Sequence, residues 1–257
     1  MTDFQDDQLS CDDFLGGRLR LFQPVAGYRA GVDPVFLAAS VPAQPGQTVL
    51  ELGCGAGAAI LCLGRRVSGL NLTGVELQPP YAALARRNAD LNDIPLDIIE
   101  GDISAIPAAL RQRQFDHVIA NPPYYRPGAH SSADDAGRAM ALGEGTPLAV
   151  WVDAATRRLV HRGFLHMIVK ADRLPDLLTV CDGRLGSIEV LPLVPRAGRA
   201  AELVILRARK GGKAAFRLHH GLILHEGAQH PGDRDHYVPE ISRVQREAAA
   251  LPWPEAR

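Results

Sequence analysis

The chain has 257 residues, a formal net charge of −1, and 46% hydrophobic against 22% charged residues. These values are typical of a globular protein and exclude a disordered chain, and no apolar run approaches the roughly 18 residues of a membrane span. The first residues are acidic and lack the apolar stretch of a secretory signal, while the four cysteines show neither a C-x-x-C spacing nor a disulfide framework. We therefore expect a soluble, cytoplasmic protein with no membrane contact and no structural metal.

The chain divides into three predicted parts. Residues 1–45 contain an alternating stretch typical of a short hairpin and a helix pattern over 32–40, and we expect this N-terminal addition to cover a ligand crevice. Residues 46–225 form the predicted main domain. Residues 226–257 form a C-terminal tail in which an amphipathic helix precedes a proline-broken end.

From residue 47 onward, strand patterns alternate with helical patterns, which predicts an α/β fold with parallel strands joined by crossover helices. The predicted strands are 48–52, 71–77, 96–102, 115–121, 163–170, 187–195 and 201–212. The last of these follows its predecessor without a helix, so we expect one antiparallel strand at the edge of the sheet, with 216–226 as its candidate hairpin partner. Residues 126–146 are rich in small and polar residues and predict a surface loop that orders on a ligand.

The segment ELGCGAG, residues 51–57, comes directly after a predicted strand and opens a helix. Its glycines allow a tight turn and a close approach of the backbone to a ligand, although a purely structural turn would use them as well. Three carboxylates, Glu51, Glu76 and Asp102, lie at the ends of the first three strands, where open α/β sheets bind ligands. Each of them is also a candidate helix cap. Glu76 is placed to accept hydrogen bonds from the ribose hydroxyls of an adenosine, and Asp102 to accept one from an adenine amino group. Glu51 is placed near a ligand's ammonium group.

The motifs ELGCGAG, GVE, GD and NPPY, in this order, resemble class I S-adenosylmethionine-dependent methyltransferases that act on planar amino or amide nitrogens. The resemblance covers roughly residues 47–170. It implies a Rossmann-like, mostly parallel seven-stranded sheet with one antiparallel edge strand, and S-adenosyl-L-methionine as cofactor. The cofactor site that we expect comprises Glu51, Gly53, Cys54, Gly55, Gly57, Glu76, Asp102 and Asn121.

The predicted catalytic turn is Asn121, Pro122, Pro123 and Tyr124. The side-chain oxygen of Asn121 and the backbone carbonyl of Pro122 provide two acceptors for the N–H bonds of a planar amine, which turns its lone pair towards a methyl group. The two prolines fix the backbone that carries these acceptors. Tyr124 offers a flat face on which the substrate stacks. An ordinary proline turn with exposed tyrosines is the structural alternative.

The NPPY turn resembles that of two families, the bacterial tRNA adenine-N6 methyltransferases and the glutamine methyltransferases that act on release factors. The segments 27–39, 198–212, 224–227 and 237–240 resemble the tRNA group, and only about 47 residues precede the first core strand, too few for the N-terminal helical domain of the glutamine group. We therefore expect an enzyme that methylates an exocyclic adenine amine in tRNA. A ribosomal RNA guanine amine, a small molecule, and a non-enzymatic scaffold that binds S-adenosylmethionine are the alternatives.

Because the net charge is near zero, an RNA partner requires a local basic patch. Residues 206–217 carry no acid, and we expect tRNA contacts from Arg207, Arg209, Lys210 and Lys213. The same residues would also keep a solvated hairpin from pairing with other chains. The five histidines 219, 220, 225, 230 and 236 are irregularly spaced, which favours surface residues over metal ligands.

Overall fold

The structure is a computed structural model that describes residues 3–123, 146–181, 183–227 and 236–254. Tyr124 and nearly all of the predicted loop at 126–146 lie outside the described residues. The strands in the described ranges are β1 (Leu9–Phe14), β2 (Leu19–Pro24), β3 (Thr48–Leu52), β4 (Asn71–Glu76), β5 (Leu96–Glu100), β6 (Phe115–Ala120), β7 (Leu159–Lys170), β8 (Leu185–Val194), β9 (Leu203–Lys210), β10 (Arg217–Leu218) and β11 (Leu222–Ile223). The α-helices there are α1 (Asp33–Ser40), α2 (Ala58–Arg66), α3 (Pro79–Leu91), α4 (Leu148–Arg158), α5 (Leu174–Val180) and α6 (Pro239–Glu247).

One sheet forms the centre of the protein, in the order β10-β8-β9-β7-β6-β3-β4-β5, and β11 also pairs with β8. The strands β5, β4, β3, β6 and β7 are parallel to one another, so their carboxyl ends lie along the same edge of the sheet. The first predicted strand, β3, lies between β4 and β6. The predicted α/β, Rossmann-like class with a mostly parallel sheet is confirmed. Within the described residues the sheet has nine strands rather than the predicted seven, because β10 and β11 pair with β8.

The antiparallel strand is not at the edge where the sequence placed it. β9 runs antiparallel to both neighbours and lies between β7 and β8. Its central residues Val204, Ile205 and Leu206 are all at most 2% exposed, and such a continuous apolar run suits a strand that is covered on both faces. The predicted hairpin partner at 216–226 is also wrong, because β10 and β11 from this segment pair in parallel with β8 rather than with β9.

Two hydrophobic clusters cover the two faces of the sheet. Helices α1, α2 and α6 contribute to one cluster, together with residues of the β1–β2 hairpin. Helices α4 and α5 contribute to the other. None of the helices in the described ranges is long and apolar enough to span a bilayer.

The predicted helix of the tail is α6, and it packs against the N-terminal hairpin. The carbonyl of Arg246 approaches Gly16 so closely that a Cβ there would lie 2.5 Å from the carbonyl oxygen. Leu251 donates its N–H to the carbonyl of Ala39 at 2.8 Å, which fixes the segment after α6 to the end of α1. The two terminal segments therefore form one packed unit with the sheet, and the predicted domain boundaries stay a prediction.

Candidate active site

The loop that connects β3 to α2 turns through left-handed backbone. Gly53, Gly55 and Gly57 have φ values of 62°, 55° and 86°, a region that side chains other than glycine adopt at a cost. A Cβ on Gly53 would lie 2.6 Å from the ring of Trp151, whereas a Cβ on Gly55 would meet nothing within 4 Å. Gly53 therefore permits close packing against α4, and Gly55 leaves open space beside the loop.

Glu76, the last residue of β4, is 6% exposed and fixed by the backbone. One carboxylate oxygen accepts the N–H of Gly55 at 2.8 Å, and the other accepts the N–H of Gln78 at 2.9 Å. Burial raises the pKa of this carboxyl above its usual value, and these backbone hydrogen bonds lower it only in part. The carboxylate is thus rigidly oriented, with lone pairs left for a ligand's hydroxyl groups.

Glu51 lies in β3 immediately before the glycine loop and is 3% exposed. One of its oxygens accepts the N–H of Ile60 in the first turn of α2 at 2.9 Å. Burial raises its pKa well above the usual value, the hydrogen bond from Ile60 opposes this rise, and the charge of Glu76 adds to it. Two buried carboxylates close enough to repel each other favour a ligand that carries positive charge.

Asp102 begins the short 3-10 turn Ile103–Ala105 after β5, and its Oδ1 accepts the N–H of Ser104 at 2.7 Å. The capping role that the sequence allowed is therefore present. Glu51 makes the corresponding contact to the first turn of α2. Such contacts occupy only part of each carboxylate, so they are compatible with ligand binding at the same residues.

A cavity of about 290 Å³ lies at the carboxyl edge of the sheet and brings most of the predicted site residues together. Its lining includes Glu51, Gly53, Cys54, Gly55, Glu76, Asp102, Asn121, Pro122 and Pro123. Gly57 is not in the lining. A Cβ on this residue would contact Leu61 and Ala85, so it faces the protein interior. Tyr124 lies outside the described residues.

Asn121 follows directly after β6 and lines the cavity. Its Oδ1 is buried and has no hydrogen-bond partner within the described residues. The indole N–H of Trp151, another lining residue, is likewise buried without a partner there. Because unpaired buried polar atoms are costly, this acceptor and this donor indicate that the cavity is shaped for a polar ligand.

Several lining residues were missed by sequence reasoning, among them Gln23, Tyr28, Tyr81 and Trp151. The hydroxyl of Tyr81 accepts the N–H of Tyr28 at 3.1 Å and donates to its carbonyl at 3.3 Å, which ties the N-terminal addition to α3. The predicted covering of the crevice is confirmed, but no local motif marks these residues, since they come from distant elements.

The basic residues near the end of β9 do not form one patch. Arg207 pairs with Glu189 at 3.0 Å and lies 4.3 Å from the ring centroid of Trp253, with its side chain 18% exposed. Arg209 lies over Phe164, while Lys210 points to the opposite face and donates to the carbonyl of Leu159 at 2.7 Å. Lys213 is exposed in the loop that follows.

The histidines of the C-terminal part have separate surroundings. His219 contacts Glu189 at 2.8 Å, and His225 stacks on Tyr237 with 4.5 Å between the ring centroids. His230 lies outside the described residues. No group of three or more metal-ligating side chains occurs within the described part of the chain.

Comparison with known proteins identifies the family. The family model "Methyltransferase small domain" matches residues 31–175. A tRNA1(Val) (adenine(37)-N6)-methyltransferase of Porphyromonas gingivalis is 31% identical over 196 residues, which cover 70% of this chain and 76% of the relative. An enzyme of the same name from a Shewanella species is 33% identical over 156 residues, with 58% and 63% of the two chains covered.

Solved structures agree on the fold. The protein Atu636 of Agrobacterium tumefaciens, described as a predicted O-methyltransferase, is 26% identical and superposes with a TM-score of 0.69 over 85% of this chain and 97% of its own. The 16S rRNA N2 G1207 methyltransferase of T. thermophilus is 20% identical, with a TM-score of 0.54 over 79% of this chain and 50% of its own, and supports the fold alone. The chain, with its glycine loop, its strand-end carboxylates and its NPPY turn, belongs to the methyltransferase small domain family.

Proposed function

We propose that this protein transfers a methyl group from S-adenosyl-L-methionine to the exocyclic amine of an adenine in tRNA. Its family and its fold are those of methyltransferases, and relatives that span more than two thirds of the chain are named for adenine-N6 methylation of tRNA1(Val). By analogy with those names, the adenine at position 37 of that tRNA is the first substrate to test.

S-adenosyl-L-methionine is the cofactor, and when bound it supplies a methyl group on a positively charged sulfonium. The cavity suits such a group because Glu51 and Glu76 are both buried, and neither forms an ion pair among the described residues. We assign ribose hydroxyls to Glu76, the ammonium group to Glu51, and the adenine amino group to Asp102. Gly53, Cys54 and Gly55 are assigned to the backbone that approaches the cofactor.

The observation that carries the proposal is the unpaired Oδ1 of Asn121. The amino group of adenine is a poor nucleophile because its lone pair is delocalised into the ring. An acceptor that takes one of its N–H bonds favours the geometry in which the lone pair is free to attack, and the carbonyl of Pro122 is the proposed second acceptor. A neutral amide suffices for this role, so no strong base is required.

Pro122 and Pro123 support this role because each proline fixes its own φ and restricts the residue before it. Acceptors held in this way need little reorganisation when the substrate enters. Stacking of the target base on Tyr124 stays a prediction, since this residue lies outside the described part of the chain.

The decisive experiment combines transfer assays with nucleoside analysis. Purified protein, S-adenosylmethionine with a labelled methyl group, and bulk tRNA are expected to give label in N6-methyladenosine, whereas a release-factor substrate is expected to stay unlabelled. Nucleosides from cells with the gene, without it, and with an Asn121→Ala copy extend the test to living cells. Label in protein but not in tRNA, or in guanine instead of adenine, would contradict the proposal.

A further inference from the structure

A second cavity, of about 510 Å³, lies beside the proposed active site. It is a groove between α4 and the segment 103–106, which includes the 3-10 turn Ile103–Ala105, and Arg111 also lines it. Ile103 lines both cavities, so the groove begins next to Asp102 at the carboxyl edge of the sheet. It follows α4 to Arg157 and Arg158, at the amino-terminal end of the strands, over a helix of eleven residues or about 16 Å.

The far end of this groove is strongly basic. Arg111, Arg157 and Arg158 line it, and Asp153 is the acidic residue in its lining. Arg157 and Arg184 both pair with that carboxylate, at 2.8 Å and 3.0 Å. The carboxylate of Asp153 thus contacts two guanidinium groups.

The remaining donors in this region bind neutral groups. Arg158 donates to the backbone carbonyls of Leu110 and Arg111, and Lys210 donates to the carbonyl of Leu159. The Nε of Arg158 is buried without a partner among the described residues. Carbonyl contacts hold these side chains in place but leave their positive charge uncompensated.

The cations are also close enough to repel one another. Burial lowers the pKa of Lys210, and the charges of Arg158 and Arg184 lower it further. Burial, followed by the charge of Arg157, lowers the pKa of Arg158. A bound anion would relieve this repulsion.

We propose that this groove binds the phosphodiester backbone of the RNA whose target base enters the neighbouring cavity. The choice of RNA as the ligand rests on the proposed function. The choice of this groove as its binding site rests on the position and charge of the groove. A polyanion fits better than a single phosphate, because the groove extends along the whole of α4 and its cations are spread over several elements. Such contacts position the RNA without reading its sequence.

The test uses the double variant Arg111→Gln/Arg157→Gln, which removes two exposed charges and leaves the structural Arg158 in place. The matched control is Arg20→Gln/Arg65→Gln, because both arginines are exposed and lie outside the groove. Binding of bulk tRNA to each protein is measured between 50 and 200 mM KCl.

We expect the groove variant to bind tRNA about tenfold or more weakly, with a salt slope reduced by about one unit for each phosphate that the variant no longer neutralises. The control and the affinity for S-adenosylmethionine should stay within about twofold of wild type. Equal affinity and equal slope in the two double variants would overturn the proposal. The variant Asp153→Asn removes the acid, so it should bind tRNA more tightly, a gain that a misfolded protein would not show.

These outcomes separate the groove from the proposed function. If adenine is methylated normally and the groove variant binds tRNA as well as wild type, the RNA-binding role of the groove is wrong and the enzyme assignment stands. If RNA binding depends on these arginines but adenine is not methylated, the RNA-binding role of the groove stands and the assignment of adenine as substrate is wrong. Methylation of a protein that depends on the same arginines would assign the groove to an acidic polypeptide and overturn its RNA assignment.

Discussion

Helix α4 presents two different surfaces to two neighbouring cavities. Trp151 lines the cavity with the buried carboxylates, while Asp153 and Arg157 line the basic groove. In the first cavity the charges are buried and held by backbone N–H groups at fixed distances. In the groove Arg111 and Arg157 are exposed, and the carbonyl contacts of Arg111 and Arg158 leave the charge of these two side chains in place.

The difference teaches how one helix serves two kinds of ligand. Buried charges are screened little by salt and recognise one small molecule of defined shape. Exposed charges attract any polyanion at a distance and are weakened by salt. The cofactor cavity should therefore depend on geometry, and the groove on ionic strength.

The largest expected effect is at the reacting group. Asn121→Ala should lower kcat by about 100- to 1,000-fold, because it removes a positioned hydrogen-bond partner of the amine. The Kd for S-adenosylmethionine, measured by calorimetry, should stay within about twofold of wild type. A kcat within tenfold of wild type would show that Oδ1 does not hold the amine.

Ionic strength should separate the two cavities without any mutation. If four phosphates are contacted, the Kd for tRNA should rise on the order of 100-fold between 50 and 200 mM KCl. The Kd for S-adenosylmethionine should change by less than about twofold over this range, because Glu51 and Glu76 are buried. If the two Kd values depend equally on salt, the proposed difference between the cofactor cavity and the groove is wrong.

Glu76→Ala should weaken S-adenosylmethionine binding by about 10- to 100-fold, since hydrogen bonds to a charged group are removed. Glu100→Ala is the matched control, because Glu100 ends the adjacent strand β5 but is exposed and pairs with Arg86. Thermal unfolding of both variants checks that the glycine loop stays folded. Equal cofactor affinity in wild type and Glu76→Ala would remove the ribose assignment.

The smallest effect is expected on stability. The fold raises the pKa of Glu51 above its unfolded value, so the protein is most stable with this carboxyl protonated and loses that stability as the pH rises. Glu51→Gln should therefore stabilise the cofactor-free protein at neutral pH by roughly 1 kcal/mol. The difference in Tm between Glu51→Gln and wild type, measured from pH 5 to pH 8, should widen as the pH rises. The variant should also bind the cofactor more weakly. A variant less stable than wild type at pH 8 would contradict this account.

The sequence predicted the features that depend on local pattern. The strand before the glycine loop, the carboxylates Glu76 and Asp102, and the turn at Asn121 all follow from the order of apolar runs and loop residues. In a parallel sheet, this order alone places the ends of successive strands at one edge. The cavity at that edge accordingly contains most of the predicted residues.

Features that depend on contacts between distant segments could not be read in the same way. Whether β9 lies inside the sheet or at its edge is decided by the pairing of β8 on its other side. Arg207 looked like a phosphate ligand in the sequence, but its pairing with Glu189 and its packing on Trp253 favour a structural role. Trp151 and Gln23 enter the cavity only because α4 and the N-terminal hairpin pack over it.

The contact between Arg18 and the carbonyl of Arg246 joins positions 228 residues apart in the chain. Bringing such distant segments together has a high entropic cost, and contacts of this kind form late in folding. The hairpin that α6 holds in place contains Gln23 and leads to Tyr28, and both residues line the cavity. The nascent chain should therefore assemble the glycine loop and its strands first, and complete the lining of the cofactor cavity only when α6 has docked.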